Sequence, residues 1–287
     1  MTQITQAFVQ QWDDTIRLRS QQKESRLFSL GTDRGTITGE SFTVNLLDNF
    51  DETPENTTRH GDTVWTDANH TARIALMKDY YDAKPVDRAD EPKVLANPLS
   101  GGYMENLISA FNRRKDKNFY AAARATVTLK DASTIALPSA QKIAHGSTGF
   151  TKAKIIQAKK IFRANEADAH DGEELFLAYT SDMLEDILTD TTLTNVDYMA
   201  VKMLQEGDVS GMWMGFKWIP FEGIDPVSSS TYYTIAWAKS GMHVGTGFVE
   251  GKSQRRPDKK DTMQVSMAAS IGAIRADEKK VVEIAFQ

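Results

Sequence analysis

The side chains in this sequence that could do chemistry are scattered, and none of the spacings typical of an active site occurs. The five histidines lie in five different segments, and neither an HExxH nor a GxSxG motif is present. Cysteine is absent, which excludes disulfides, thiolate metal ligands and a cysteine nucleophile. The sequence does not support catalysis, and we expect a protein that is not an enzyme.

Two segments resemble ligand-binding loops only in composition. The stretch HGSTGFTK has Gly146 and Gly149 too close together for the loop G-x-x-x-x-G-K-[ST] that cradles phosphate. The stretch EADAHDGEE is rich in oxygen ligands, but Ala169 and Gly172 occupy the wrong positions for a calcium loop. We therefore expect no cofactor and no metal. A soluble enzyme that binds a phosphorylated ligand near residues 145–151 is a distant alternative.

Composition narrows the class of protein further. The 34 lysines and arginines against 39 aspartates and glutamates leave a net charge of −5, which argues against an electrostatic nucleic-acid binder. A hydrophobic fraction of 40% with 25% charged residues is typical of globular proteins. No apolar run approaches the roughly 20 residues of a membrane span, and the first residues do not resemble a signal peptide. We expect a soluble protein made in the cytoplasm.

The first two elements that the sequence predicts are an amphipathic helix and a hairpin. Phe8, Trp12 and Ile16 recur at helical spacing, and this apolar stripe must pack on the rest of the chain or on a partner. In the runs TITGESFTVNLL and TARIALM, apolar residues recur at every second position as in strands, and a long polar segment separates the two runs. This pattern predicts a protruding hairpin with a polar tip. The hairpin has no Lys or Arg from Gly35 through Thr58 but several acidic residues. An arm that carries only negative charge is stabilised by contact with a basic surface. A polar loop exposed to solvent explains the same pattern.

A long helix with a basic cluster follows the hairpin. The run GGYMENLISAFNRRKDKNFYAAARATVTL has apolar residues at i, i+3 and i+4 steps over about seven turns. Its centre, Arg113–Lys117, is either a solvated face or a partner surface. A second basic segment, Lys252–Lys260, is predicted to be a loop.

The rest of the chain predicts an α+β fold. We expect helices in TKAKIIQAKKIFRA and SDMLEDILTD and a buried strand in ELFLAYT. GMWMGFKWIPF is predicted to be one strand, with Trp213 and Phe216 on opposite faces. The runs DTMQVSMAASIGAIR and KKVVEIAFQ predict two final strands around a turn.

Four strings in this order give the chain a resemblance to the major capsid protein of tailed bacteriophages, the Hong Kong 97-type fold. AFVQQWDDTIRLRSQQKESRL is similar to the family's opening. MKDYYDAKPVDRADEPKVLANPLSGGYMENLISAFNRRKDKNFYAAARA is similar to the family's entry into its spine helix. LQEGDVSGMWMGFKWI and SIGAIRADEKKVVEI resemble a later strand and the closing hairpin. The resemblance runs nearly from end to end.

The resemblance implies an organisation and a function. It implies an N-terminal arm (1–35), an extended loop (36–78), a peripheral domain (79–150 and 261–287) and an axial domain (151–260). It implies self-assembly into hexamers and pentamers of an icosahedral head that encloses double-stranded DNA without sequence-specific binding. An encapsulin-type nanocompartment shell is the alternative within the same fold.

The implied partners are further copies of the chain, a separate scaffolding protein, a portal protein and a decoration or cement protein, with no membrane. The implied location is the virion capsid, assembled in the cytoplasm of the bacterial host. We expect the acidic tip of the extended loop to dock on a neighbour's Arg113–Lys117 or Lys252–Lys260. The residues expected at contacts between subunits are Phe8, Trp12, Ile16, Asp48, Asp51, Glu52, Glu55, Arg113, Arg114, Lys117, Arg255 and Arg256.

Overall fold

The computed structural model confirms the α+β class and describes most of the chain. The described residues are 19–50, 67–88, 102–189, 212–224 and 231–287, with 52, 53, 55, 59, 61, 62 and 65. The helices are α1 (Gly102–Arg124), α2 (Lys152–Ala164) and α3 (Ser181–Thr189). The strands are β1 (Thr32–Thr36), β2 (Ser41–Leu47), β3 (His70–Leu76), β4 (Lys78–Val86), β5 (Val127–Leu129), β6 (Thr134–Ile135), β7 (Lys142–Ile143), β8 (Leu175–Tyr179), β9 (Met212–Trp213), β10 (Phe216–Pro220), β11 (Tyr232–Ala238), β12 (Met242–Arg256), β13 (Thr262–Arg275) and β14 (Val281–Phe286).

The chain forms two compact units. The first comprises Met1–Glu24, Asp79–Arg113 and Val249–Ala269, and the second comprises Ser25–Lys78, Arg114–Phe248 and Ser270–Gln287. Helix α1 and strands β12 and β13 therefore contribute residues to both units. These units differ from the four regions that the resemblance implies, whose limits stay a prediction.

The main core of the second unit lies on a six-stranded sheet with the order β7-β14-β11-β8-β10-β9. One face is covered by α2 and α3, which bury Ile155, Ala158 and Phe162 and also Met183 and Ile187. These positions follow the helical repeat, so the two predicted helices are confirmed. All five residues of β8 are buried because this strand lies inside the sheet and is covered on both faces.

The opposite face of this sheet packs on the second half of α1. Trp237 of β11 stacks on Phe176 at 5.6 Å between ring centroids and meets Phe119 of α1 edge-on at 5.3 Å. Phe119 and Trp237 are fully buried. The predicted long helix is confirmed and supplies one wall of this core.

The predicted hairpin is present in the second unit as β2 and β3. The two strands are antiparallel over seven residue pairs, from Ser41↔Leu76 to Leu47↔His70. Phe42, Val44 and Ala75 at its base are buried in a small core. Because burial alternates along β2, the other face of the strand is left to solvent.

The first unit contains the end of β12 and the start of β13, with β4 beside β13. Residues 252–260 were expected to be a loop, but β12 continues as a strand to Arg256 before the turn. Residues 19–24 meet α1, where Lys23 forms an ion pair with Glu105 at 3.1 Å. Among the described helices, none has the length and apolar character needed to cross a lipid bilayer.

Two predictions about strands are wrong. Residues 211–221 do not form one strand, because Met214 and Gly215 adopt left-handed backbone angles (φ 54° and 82°) and turn the chain between β9 and β10. Trp213 and Phe216 consequently lie in the same core instead of on opposite faces. The two final strands also do not pair with each other, since β13 lies beside β12 while β14 lies between β7 and β11.

The reason for the second error is the burial of β14. All six of its residues are buried, so both of its faces and both of its edges need partners. A two-stranded hairpin could not supply them. The chain therefore passes from one sheet to another between Arg275 and Val281.

Candidate inter-subunit surfaces

The tip of the extended loop connects β2 and β3, and its described residues are 48–50 and 67–69, with 52, 53, 55, 59, 61, 62 and 65. The pairing ends where the Asp48 amide donates to the Asn69 carbonyl at 3.1 Å and the Asn69 amide donates to the Asp48 carboxylate at 2.5 Å. Asp48, Glu52 and Glu55 are exposed. Asp51, which the sequence places with them, lies outside the described residues.

The same tip carries large apolar side chains that the sequence argument did not single out. Leu47 is 51% exposed, Phe50 69% and Trp65 88%. Aromatic residues of this size normally bury most of their surface, and tryptophan is enriched at contacts between proteins. The signal was present in the sequence as isolated aromatic residues within a polar segment. The tip is therefore apolar as well as acidic.

The basic cluster on α1 is not a uniform surface. Arg114 and Lys117 are exposed, but Arg113 is half-buried. The Arg113 guanidinium donates to the Gln21 side chain at 2.8 Å and to the Gln22 carbonyl at 3.2 Å. Arg113 therefore ties residues 19–24 to the first half of α1.

Lys115 also lies partly inside the protein. Its ammonium group is 5.6 Å from the centre of the Phe28 ring. Burial lowers the pKa of Lys115, although the charge of Asp116 acts in the opposite direction. Lys115 therefore contributes to packing within the subunit.

Asp116, at the centre of the same cluster, is fully buried. Its carboxylate accepts hydrogen bonds from the Ser25 hydroxyl at 2.6 Å and from the amides of Arg26, Leu27 and Phe28 at 2.9, 3.0 and 3.3 Å. This carboxylate holds residues 25–28 against α1. The sequence argument counted Asp116 as part of a surface cluster and missed this role.

The arginines of the second basic segment pair with acidic residues in and beside it. Arg256 donates two hydrogen bonds to Asp258, at 2.9 and 2.8 Å. These bonds lower the pKa of Asp258 to about 2. Arg255 pairs with Asp261 at 3.3 Å. Within the described part of the chain, Lys259 and Lys260 form no ion pair.

A buried ionic network fixes the base of the extended loop. The Arg73 guanidinium of β3 donates to both carboxylate oxygens of Glu278, at 2.5 and 2.6 Å. The fully buried Arg275 donates to the carbonyls of Ala123 and Ala125 at the end of α1, both at 2.8 Å. Burial raises the pKa of Glu278, but the hydrogen bonds and charge of Arg73 lower it by more, so the net shift is downward.

The loop at 145–151 is held by hydrogen bonds with side chains of α2 and α3. The Lys154 ammonium donates to the carbonyls of Thr148 and Gly149 at 2.9 and 2.7 Å. The Phe150 amide donates to the Asp186 carboxylate at 2.7 Å. A phosphate at this loop would face that carboxylate, so the geometry does not support a phosphate site. The described residues also contain no cluster of three or more metal-ligating side chains.

An α+β protein whose hairpin tip exposes aromatic as well as acidic side chains has a surface suited to contact with another protein. Comparison with known families agrees with this class, because the model for the phage capsid protein family matches residues 4–287. The chain belongs to the phage capsid protein family. It is a major capsid protein, a structural and non-enzymatic subunit of a multi-subunit phage shell.

Solved structures agree with the fold. The capsid of Ralstonia phage GP4 is similar with a TM-score of 0.74 and 10% identity, covering 98% of this chain and 95% of that one. A chain of the Helicobacter pylori bacteriophage KHP40 head has a TM-score of 0.72 and 10% identity, covering 99% and 96%. A Mycobacterium phage Che8 chain has a TM-score of 0.71 and 12% identity, covering 97% of each. A comparison with curated proteins finds no significant match.

Proposed function

We propose that this capsid protein forms the hexamers and pentamers of an icosahedral head around double-stranded DNA, with the tip of each extended loop docked on a neighbouring subunit. The exposure of Phe50 and Trp65 in the tip that connects β2 and β3 carries this proposal. Large aromatic groups that stay in water forfeit the free energy of burial, which is about 25 cal/mol per Å² of apolar surface. A neighbouring copy supplies the surface that the tip's own subunit does not.

Charge favours a basic receiving surface on the neighbouring subunit. Asp48, Glu52 and Glu55 are exposed in the same tip as Phe50 and Trp65 and favour a basic partner. Arg114 and Lys117 are exposed on α1, and Lys259 and Lys260 are exposed after β12. The receiving surface is therefore either α1 or residues 252–260. The stripe Phe8, Trp12 and Ile16, which lies outside the described residues, is proposed to bury on a neighbour as well.

The remaining partners follow from the function of a head. A separate scaffolding protein would guide assembly in the host cytoplasm, a portal protein would occupy one vertex, and a decoration or cement protein would reinforce the shell. The enclosed DNA would be held without sequence-specific contacts, in agreement with the net charge of −5. Nuclease-resistant DNA in purified particles tests this against an encapsulin-type compartment, which would hold protein.

Replacing the aromatic tip residues tests the docking. The variant Phe50→Ser with Trp65→Ser is expected to fold like the wild type, because both side chains are exposed, but to lose most of its shells in sedimentation and electron microscopy. Removing a tryptophan from the centre of a contact typically costs about 2 kcal/mol or more. Met212→Ser, which removes a side chain that is 57% exposed outside the loop, is the control. Normal shell yield from the tip variant would contradict the proposal.

A further inference from the structure

The exposed sides of helices α2 and α3 carry opposite charge. α2 contains five basic residues and no acidic one, and α3 contains three acidic residues and no basic one. Both helices belong to the second unit and bury their other sides in the same core. Their exposed sides are therefore not needed to fill that core.

The α2 face is defined by Lys152, Ile156 and Lys160. These residues are four apart, so they form one line along the helix. Ile156 is 50% exposed, Lys160 is exposed and Lys152 is half-buried. Neither lysine forms an ion pair with any residue in the described part of the chain. The α2 face is thus an apolar side chain between two positive charges.

The positive charge in the first turn does not stabilise helix α2 itself. The first turn of α2 contains Lys152 and no acidic residue, although the positive end of the helix dipole favours negative charge there. Arg163, in the last turn, is different because it forms an ion pair with Asp168 at 3.0 Å. Among the described residues, none forms an ion pair with the lysine at the start of α2.

The α3 face is defined by Asp182, Glu185 and Leu188. Asp182 and Glu185 are exposed, form no ion pair with the described residues and lie one turn apart, beside the half-buried Leu188. Asp186 is the exception, because it accepts the hydrogen bond from Phe150. Leu188 packs on the subunit's own core with part of its surface, so the α3 face presents two negative charges next to a partly exposed apolar side chain.

We propose that the α2 face of one subunit packs on the α3 face of a second copy in the shell. Ile156 would meet Leu188 at the centre, and the lysines would pair with Asp182 and Glu185 at the edge, where charge sets the register. Two complementary surfaces at different places on one chain make head-to-tail contacts, which form rings when the rotation between successive copies closes, as a hexamer or a pentamer requires. This inference rests on the proposed function, since it names a contact within the assembled capsid.

The chemistry of the α2 face favours a protein partner over packaged DNA. An exposed isoleucine between the lysines has no favourable contact with a phosphate backbone. The Asp186 carboxylate of α3 accepts a hydrogen bond from Phe150, two positions before α2, so this carboxylate lies near the start of that helix and would repel phosphate. The partner we infer is therefore another copy of this chain.

Charge reversal on each face, and on both together, tests the pairing. The three variants are Lys152→Glu with Lys160→Glu, Asp182→Lys with Glu185→Lys, and the four changes in one chain. Lys130→Glu with Lys279→Glu is the matched control, because both lysines are exposed and form no ion pair with a described residue. The measurements are the fraction of protein in particles by sedimentation, particle shape by electron microscopy, and thermal unfolding of each variant.

We expect each double reversal to lower the particle fraction at least tenfold and the fourfold variant to restore it to within twofold of the wild type. The control should stay within twofold of the wild type. If the double reversals assemble normally, the pairing is wrong. It is also wrong if the double variants fold but do not assemble and the fourfold variant does not restore assembly. Both results leave the proposed function intact. Normal empty shells that fail to retain DNA would instead assign the α2 face to nucleic acid. If the wild type forms no shells with its scaffolding protein, the proposed function fails, and the pairing with it.

Discussion

Replacing Asp116 should release residues 25–28 from α1. The carboxylate is fully buried and accepts hydrogen bonds from the Ser25 hydroxyl and three consecutive amides, at 2.6 to 3.3 Å. In Asp116→Asn the negative charge is lost, and one acceptor oxygen becomes an NH2 group that faces these donors. A hydrogen bond to a charged group contributes about 1.5–3 kcal/mol, and a buried donor left unsatisfied costs about 1–3 kcal/mol. We expect a loss of about 3 kcal/mol.

Hydrogen–deuterium exchange of the amides of Arg26, Leu27 and Phe28 measures this loss directly. Because about 1.4 kcal/mol corresponds to a tenfold change in an equilibrium constant, a loss of about 3 kcal/mol speeds exchange roughly 100-fold when it acts on local opening. Asp79→Asn is the control, since Asp79 is exposed and its side chain has no hydrogen bond to a described residue. Unchanged protection of the three amides in Asp116→Asn would refute the argument that this carboxylate anchors the segment.

Two further predictions concern other buried charges of the second unit. Burial and the nearby charge of Arg34 lower the pKa of His243 from 6.5 to about 4. The unfolded chain therefore binds a proton that the native state does not accept between these pH values, and the free energy of unfolding should fall by about 2 kcal/mol from pH 6.5 to pH 4. Urea titrations across this range measure the slope, which His243→Asn should flatten; an equal slope in both proteins would contradict the assignment. Glu278→Gln should destabilise the protein by about 3 kcal/mol, because it leaves Arg73 and Arg275 as unbalanced buried charges. Thermal unfolding measures this effect, and a variant as stable as the wild type would show that the backbone carbonyls around Arg275 suffice.

Sequence reasoning succeeded where one helix or one strand pair carries its own pattern. The repeat of apolar residues predicted α1, α2 and α3, and alternation predicted the hairpin of β2 and β3. It failed at residues 211–221, where a two-residue turn reverses the chain between two short apolar strands. An unbroken apolar run does not reveal such a turn, because both strands return to the same core.

The candidate surfaces between subunits were also predictable from the sequence only in part. The acidic charge of the tip could be read from the residues, and the exposed Asp48, Glu52 and Glu55 agree with it. The basic cluster could not be interpreted residue by residue, because Asp116 points inward among cationic neighbours. Which member of a charged run meets solvent depends on the rotation of the helix against partners far away in sequence.

The α+β class, the hairpin of β2 and β3, the absence of cysteine chemistry and the resemblance to phage capsid proteins follow from the sequence alone. Local periodicity, residue type and the order of segments express these properties directly. Three further features depend on tertiary contacts: Asp116 holds residues 25–28, Arg255 and Arg256 are already paired, and β13 and β14 belong to different sheets. The side-chain contacts depend on groups that folding brings together from distant positions in the sequence. The placement of the strands depends on where in a sheet both faces of a strand are covered. No local sequence pattern encodes either property.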